Sequence, residues 1–365
     1  SEQGSDGNAS RRDLALALRL ADHVSDRERL TIRQAWAFLT NDRAQLAIAE
    51  SLATRYPGEP GSELALGRAL LWHGDYLGAV PHLRRAIRMD SLSLSGRSHW
   101  CRACDALDLM IAAYINADSM KAAGRVASEW TRLQPRTPRA WWTLASLFDR
   151  QELYDSARVA ERTAERLSAD GSSSAVPIAV RAIRAGQFAE ADRLLQDQTQ
   201  NGNPAERGDA LWWLVISLRN QGRLHDALAT AEQLVRNSRA EQPSFSTPTS
   251  LNAVAVAQVQ FEMGHFRRAA ALFDSIGDYD WNFSPDFRRE APGLYARHRI
   301  WMTMHVATSL AAAGDTARLA PIADSIAVWK RLSAMARDQV LDHYVRGLLL
   351  EARGCTFVAL THHRL

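Results

Sequence analysis

Cys101-x-x-Cys104 is the cluster in this sequence whose residue types and spacing suggest covalent or metal chemistry, with His99 before it and Asp105 and Asp108 after it. Two thiols three positions apart suit a redox pair or half of a metal site. A structural zinc site takes four sulfur or imidazole ligands, and only His99 stands close in sequence. Thioredoxin-type exchange uses such a pair at the opening of a helix beside a β-sheet, and no alternating strand pattern of useful length occurs here. The same spacing also suits two small half-buried residues at a helix start, or a short disulfide in an oxidising compartment. An accessory metal or redox module centred on this pair is therefore the alternative functional reading. Cys355 has no sequence partner.

Other catalytic signatures are missing. A P-loop needs Gly-Lys-Ser/Thr so that backbone amides and lysine hold the phosphates together, but Lys121 follows Met120 and Lys330 follows Trp329. There is no kinase loop set, no HExxH helix and no GxSxG elbow. Acidic pairs such as Asp105 with Asp108 are abundant, and on amphipathic helices such pairs are usually a solvated face. The expectation is a non-enzyme with no cofactor and no bound metal.

The chain carries 11 tryptophans, and the pairs Trp141-Trp142 and Trp212-Trp213 are each expected to begin a first helix. Aromatic residues and arginine are the side chains that anchor protein interfaces. The repeat register that the resemblance given below implies would place Arg68, Trp72, Tyr114, Trp142, Arg150, Arg184, Trp212, Arg219 and Phe261 on the inward face of successive first helices. Trp141 falls at a packing position and Trp142 beside it on the inward face. The expected partner is a protein or extended peptide held against that face. A formal charge of +3 with arginine spread evenly argues against nucleic acid. No run of apolar residues is long enough to cross a membrane. The compartment stays open between a cytoplasmic segment and the exported part of a membrane-anchored protein.

The elements that must position these residues are helical pairs. In the stretch 64–90, apolar residues fall at helical spacing through Leu64, Leu66, Leu70 and Leu71. The pattern breaks at Gly74-Asp75 and resumes through Tyr76, Ala79, Leu83, Ala86 and Ile87. Small residues at Gly67, Ala79 and Ala86 allow close helix approach. Ser25 followed by Glu28 predicts a capping box opening another helix. Equivalent corners are expected near Asn41, Gly74, Ala117, Glu152, Gly186, Gly222, Gly264, Gly314 and Gly354. Irregular insertions are expected near 91–99, 241–250 and 277–293, and residues 1–10 read as a disordered linker ahead of one array over 11–365.

This pattern resembles the tetratricopeptide repeat, in the Leu66-Gly67, Gly74-Asp75-Tyr76, Ala79 and Ala86 spacing and in corners clustering about its 34-residue period. The resemblance implies an all-α, right-handed superhelical solenoid of about eight or nine hairpins. Glu63, where an aromatic is usual, departs from the pattern. Segments 26–60 and 101–145 are similar to the repeat arrays of large bacterial signalling proteins, where such an array follows a serine/threonine kinase, adenylate cyclase or winged-helix domain. That similarity implies a docking or sensory scaffold. The lysine/asparagine clamp by which some of these domains hold a peptide carboxylate has no counterpart here.

Overall fold

The computed structural model describes residues 6–95, 101–168, 175–241, 246–278 and 287–355. Among them there is no strand, only an isolated antiparallel bridge between Asp42 and Ser333. Two compact units are present: Ser1–Ser172 with Ser333–Ala336, and Ser173–Leu332 with Arg337–Leu365.

The first unit contains α1 (Asp6–Arg19), α2 (Asp26–Leu39), α3 (Gln45–Arg55), α4 (Pro60–Trp72) and α5 (Tyr76–Met89). It continues with α6 (Arg102–Asn116), α7 (Met120–Leu133), α8 (Pro138–Arg150) and α9 (Tyr154–Leu167). The second unit contains α10 (Ala175–Arg184), α11 (Phe188–Asn201), α12 (Pro204–Asn220), α13 (Leu224–Glu241) and α14 (Ser246–Glu262). It continues with α15 (Phe266–Asp278), the short α16 (Phe287–Glu290), α17 (Pro292–Ala312), α18 (Leu319–Trp329) and α19 (Leu341–Ala352). Helix α1 begins at Asp6, inside the stretch expected to be a linker. Of the expected insertions, 96–99, 242–245 and 279–286 lie outside the described residues. Their described flanks are helical: a 3-10 turn over Ser91–Ser95, α14 from Ser246 and α17 from Pro292.

The corners share one backbone device. Nine residues among those described take positive φ: Asn41, Gly74, Asp118, Glu152, Gly186, Gly222, Gly264, Gly314 and Gly354. At each, the amide just after the left-handed residue donates back to a carbonyl five residues earlier, as in Asp75 to Leu70 at 2.9 Å and Ser119 to Tyr114 at 2.8 Å. This is the Schellman closure, which satisfies carbonyls the helix end leaves open. Ala117, the expected corner, is displaced by Asp118, whose short polar side chain tolerates φ 53° better than alanine does. Glu152, at φ 60°, has neither advantage and carries the strain.

Within each hairpin, small residues bring the helices together. Gly67 on α4 faces the side chain of Leu83 on α5, and Leu83, Ala79 and Ala86 are all fully buried. Glu63 is buried as well, where a lone carboxylate would be costly. His82 Nδ1 at 2.8 Å and Arg85 Nε at 3.1 Å, both on α5, hold it. The departure from the repeat pattern is thus a polar clasp between α4 and α5. The Ser25–Glu28 capping box forms as its spacing predicts. In the first unit the segment Ser333–Ala336 meets the first corner, where Asn41 Nδ2 donates to Ser333 Oγ at 2.9 Å.

Candidate functional site

In the first unit, α6 and α8 are the leading helices of successive hairpins, and a cleft of about 330 Å³ opens between them. One wall is Asp108, Ile111, Ala112 and Ile115, which helical spacing stacks on one face of α6. The other includes Trp142, Ser146 and Arg150, again on a single face of α8. Consecutive helix positions point about 100° apart, so Trp141 and Trp142 part company. Trp141 turns to the core, and its indole Nε1 donates to the Pro135 carbonyl at 2.9 Å. Trp142, half-buried, faces the cleft.

Charge in this cleft is asymmetric. Arg139 donates to Asp105 and to Asp108, each at 2.8 Å. Burial opposes the Arg139 charge, but the hydrogen bonds it donates to Asp108 and Asp105 outweigh that and its pKa is raised. The Asp108 carboxylate is therefore already occupied. Arg150 is exposed and makes no ion pair among the described residues.

The other expected residues fall into separate groups. Arg68 and Trp72 on α4 meet α2. The Arg68 guanidinium lies 3.8 Å from the centre of the Phe38 ring, its Nη2 donates to Gln34 Oε1 at 3.3 Å, and Trp72 packs on Phe38 with centroids 5.3 Å apart. Burial pushes the Arg68 pKa down from its ordinary value. Tyr114 is engaged from the second helix of a hairpin, its hydroxyl accepting from Arg84 Nη2 at 2.9 Å, and does not line the cleft.

In the second unit, Arg219 on α12 and Phe261 on α14 line a pocket of about 210 Å³ together with Phe273, His305 and Thr308. Arg219 is clamped by the Glu262 carboxylate through Nε at 2.9 Å and Nη2 at 2.5 Å, and by Gln258 at 3.1 Å. Its charge is neutralised within the protein. Trp212 is half-buried against the core of this unit, outside the pocket, and Arg184 is exposed near the end of α10. Sequence register had no means of finding His305. Its ring stacks on Phe273 with centroids 4.8 Å apart and meets the edge of Trp301, and its Nε2 is buried without a hydrogen-bond partner. No group of three or more His, Cys, Asp or Glu is placed to hold a metal among the described residues.

Burial pushes the pKa of His305 below its ordinary 6.5, and does the same to His298, whose Nε2 donates to the Ile276 carbonyl at 2.9 Å. Both are therefore neutral in the folded chain near neutral pH. The unfolded chain takes up these protons first as pH falls, so stability rises with pH across the interval. Their contribution is complete above about pH 6.5 and is lost as pH drops from there through the lowered folded pKa values. His305→Phe keeps the stacking and removes one titrating group. It should therefore lose less melting temperature than the parent between about pH 7.5 and 5, and thermal unfolding at the two pH values tests this. Equal losses in the two proteins would show that His305 does not contribute.

Comparison with protein-family models and with curated protein sequences found no match. Among solved structures, a tetratricopeptide repeat protein from Parabacteroides merdae is 13% identical, covering 78% of this chain and 98% of its own, with a TM-score of 0.47. A signal transduction ATPase with numerous domains and a tetratricopeptide repeat sensor, from Pyrococcus horikoshii, is 8% identical over 99% of this chain, with a TM-score of 0.39. This chain spans about half of that protein's length, 52%. Human IFIT1, as a dimer with PPP-AAAA, is 14% identical over 98% of this chain and 85% of its own, with a TM-score of 0.38. The chain's own geometry gives the fold: among the described residues, consecutive helical hairpins, left-handed corners and small-residue helix contacts make an all-α, tetratricopeptide-like helical repeat.

Proposed function

We propose that the chain is a non-catalytic scaffold that binds an extended peptide of a partner protein, as the docking or sensory region of a bacterial signalling protein. The observation that carries this reading is the α6–α8 cleft, with Trp142 on its wall and the unpaired Arg150 beside it. A half-buried tryptophan offers a large apolar surface to an incoming side chain. An arginine without an internal partner is available to a carboxylate. The matching peptide therefore carries an apolar side chain for the cleft and an acidic residue placed to reach Arg150. Arg139 is committed to Asp105 and Asp108 and Arg219 to Glu262, so these two are not free to bind phosphate, which supports a protein partner over a nucleic acid.

A random peptide display library selected on the intact chain tests this. Trp142→Ala should weaken the selected peptides by about 2 kcal/mol, roughly thirtyfold in affinity, with the fold intact. Arg150→Ala should weaken them less and erase their preference for an acidic residue. Trp141→Ala should lower stability instead, because that half-buried ring packs against the core. Selected peptides that bind Trp142→Ala as tightly as the parent would sink the assignment.

A further inference from the structure

The Cys101–Cys104 pair takes no part in the peptide cleft, and its environment is chemically lopsided. The two sulfurs are bonded to each other across the first turn of α6, three residues apart. That bond excludes both as zinc thiolates in this state. So short a loop also gains least from restricting the unfolded chain, which weakens a purely structural explanation. Cys104 is only 6% exposed, whereas Cys101 is half-buried at the helix start.

Cys101 Sγ caps α6, accepting the Cys104 N–H at 3.1 Å and the Ser93 hydroxyl at 3.4 Å. Negative charge on this sulfur is thus met by two donors and by the positive end of a helix dipole. Asp90 faces the same helix end, where its Oδ2 accepts from Ala103 N at 3.2 Å, and it tempers that effect. Cys104 Sγ instead lies 3.1 Å from Gln134 Oε1, an acceptor that also takes the Trp130 indole N–H at 2.9 Å. A bonded sulfur has no proton to give Gln134, while a reduced Cys104 thiol does. The surroundings therefore favour thiolate at Cys101 and protonated thiol at Cys104.

We propose that this pair is a thiol–disulfide exchange site for small thiols, with Cys101 the exchanging sulfur and Cys104 the resolving one. In the reductive direction a thiolate attacks Cys101 Sγ. A bond forms between the two, the Cys101–Cys104 bond breaks, and the electron pair leaves on Cys104, which takes a proton from water. A second thiolate attacks the sulfur of the bound thiol, releasing Cys101 as thiolate and the small molecule as its disulfide. Two thiols supply the two electrons, and the oxidative direction reverses each step. The site is independent of peptide binding, so failure of either reading leaves the other standing.

The test uses the full chain with Cys355→Ser, which removes the remaining exposed thiol, in mixtures of reduced and oxidised glutathione. Alkylation and peptide mass analysis should show the pair interconverting reversibly between dithiol and disulfide. With Cys104→Ser, a glutathione adduct should form on Cys101 at least about tenfold faster than one forms on Cys104 in Cys101→Ser. Reduction should also alter the emission of Trp130, through the Gln134 atom it shares with Cys104. A pair that stays reduced in excess oxidised glutathione, or that stays oxidised in excess reduced glutathione, would overturn the proposal. So would adducts forming equally fast on both cysteines. If a serine variant fails to fold, mapping the transient adduct in the protein retaining both cysteines decides between Cys101 and Cys104.

Discussion

Trp130→Ala is expected to destabilise the first unit by about 3–5 kcal/mol, the range for removing a large aromatic side chain from a close-packed core. Trp130 on α7 is fully buried in the largest hydrophobic cluster of that unit. Its indole N–H is bonded to Gln134, and the Arg139 guanidinium sits 5.6 Å from the ring centre. Gln134 in turn donates through Nε2 to the Leu94 carbonyl at 3.1 Å, so the loss reaches the turn before α6. Trp130→Phe keeps most of the ring and loses the hydrogen bond, and should cost less. Denaturant unfolding followed by far-ultraviolet dichroism gives both values. A Trp130→Ala midpoint within error of the parent would mean that the ring is not buried.

Gly67→Leu should destabilise by about 1–3 kcal/mol, because it overpacks the closest approach of α4 and α5. A Cβ at position 67 would already sit 2.7 Å from both Cγ and Cδ2 of Leu83. Leu83 is fully buried and cannot swing aside into solvent. The matched control is Gly124→Ala on α7, where a Cβ would meet only Leu147 Cδ2 at 3.8 Å and Gln151 Nε2 at 4.0 Å. Without a clash the helix gains from the loss of glycine's freedom, by up to about 1 kcal/mol. Opposite signs for the two substitutions are therefore expected from the same denaturation measurement. Two changes of the same sign would contradict the packing described for one of them.

What could be read from the sequence and what could not divide along a physical line. Eight of the nine corners left a local trace, because a left-handed residue favours glycine, asparagine or aspartate, and the corner expected at Ala117 falls on the adjacent Asp118; Glu152 carries no such trace and is located by the repeat spacing alone. Helical register was also legible, and it separates Trp141 from Trp142. Pairings between repeats leave no such local trace. Nothing near Arg219 announces that Glu262 will neutralise it, and nothing near Arg68 announces the Phe38 ring beneath it. The contact of Asn41 with Ser333 joins residues 292 positions apart. Sequence spacing placed a candidate set of aromatic and arginine residues on first helices. Only the assembled helices reveal which of those side chains remain uncommitted.

That Trp142 receives the partner is the central claim, and indole nuclear magnetic resonance of the intact chain addresses it most directly. The Trp142 Nε1–H signal is identified by its loss in Trp142→Phe. On saturation with a peptide selected for binding, that signal should shift, while the signal of the buried Trp130 should stay in place. A saturated complex in which the Trp142 signal does not move would contradict the account.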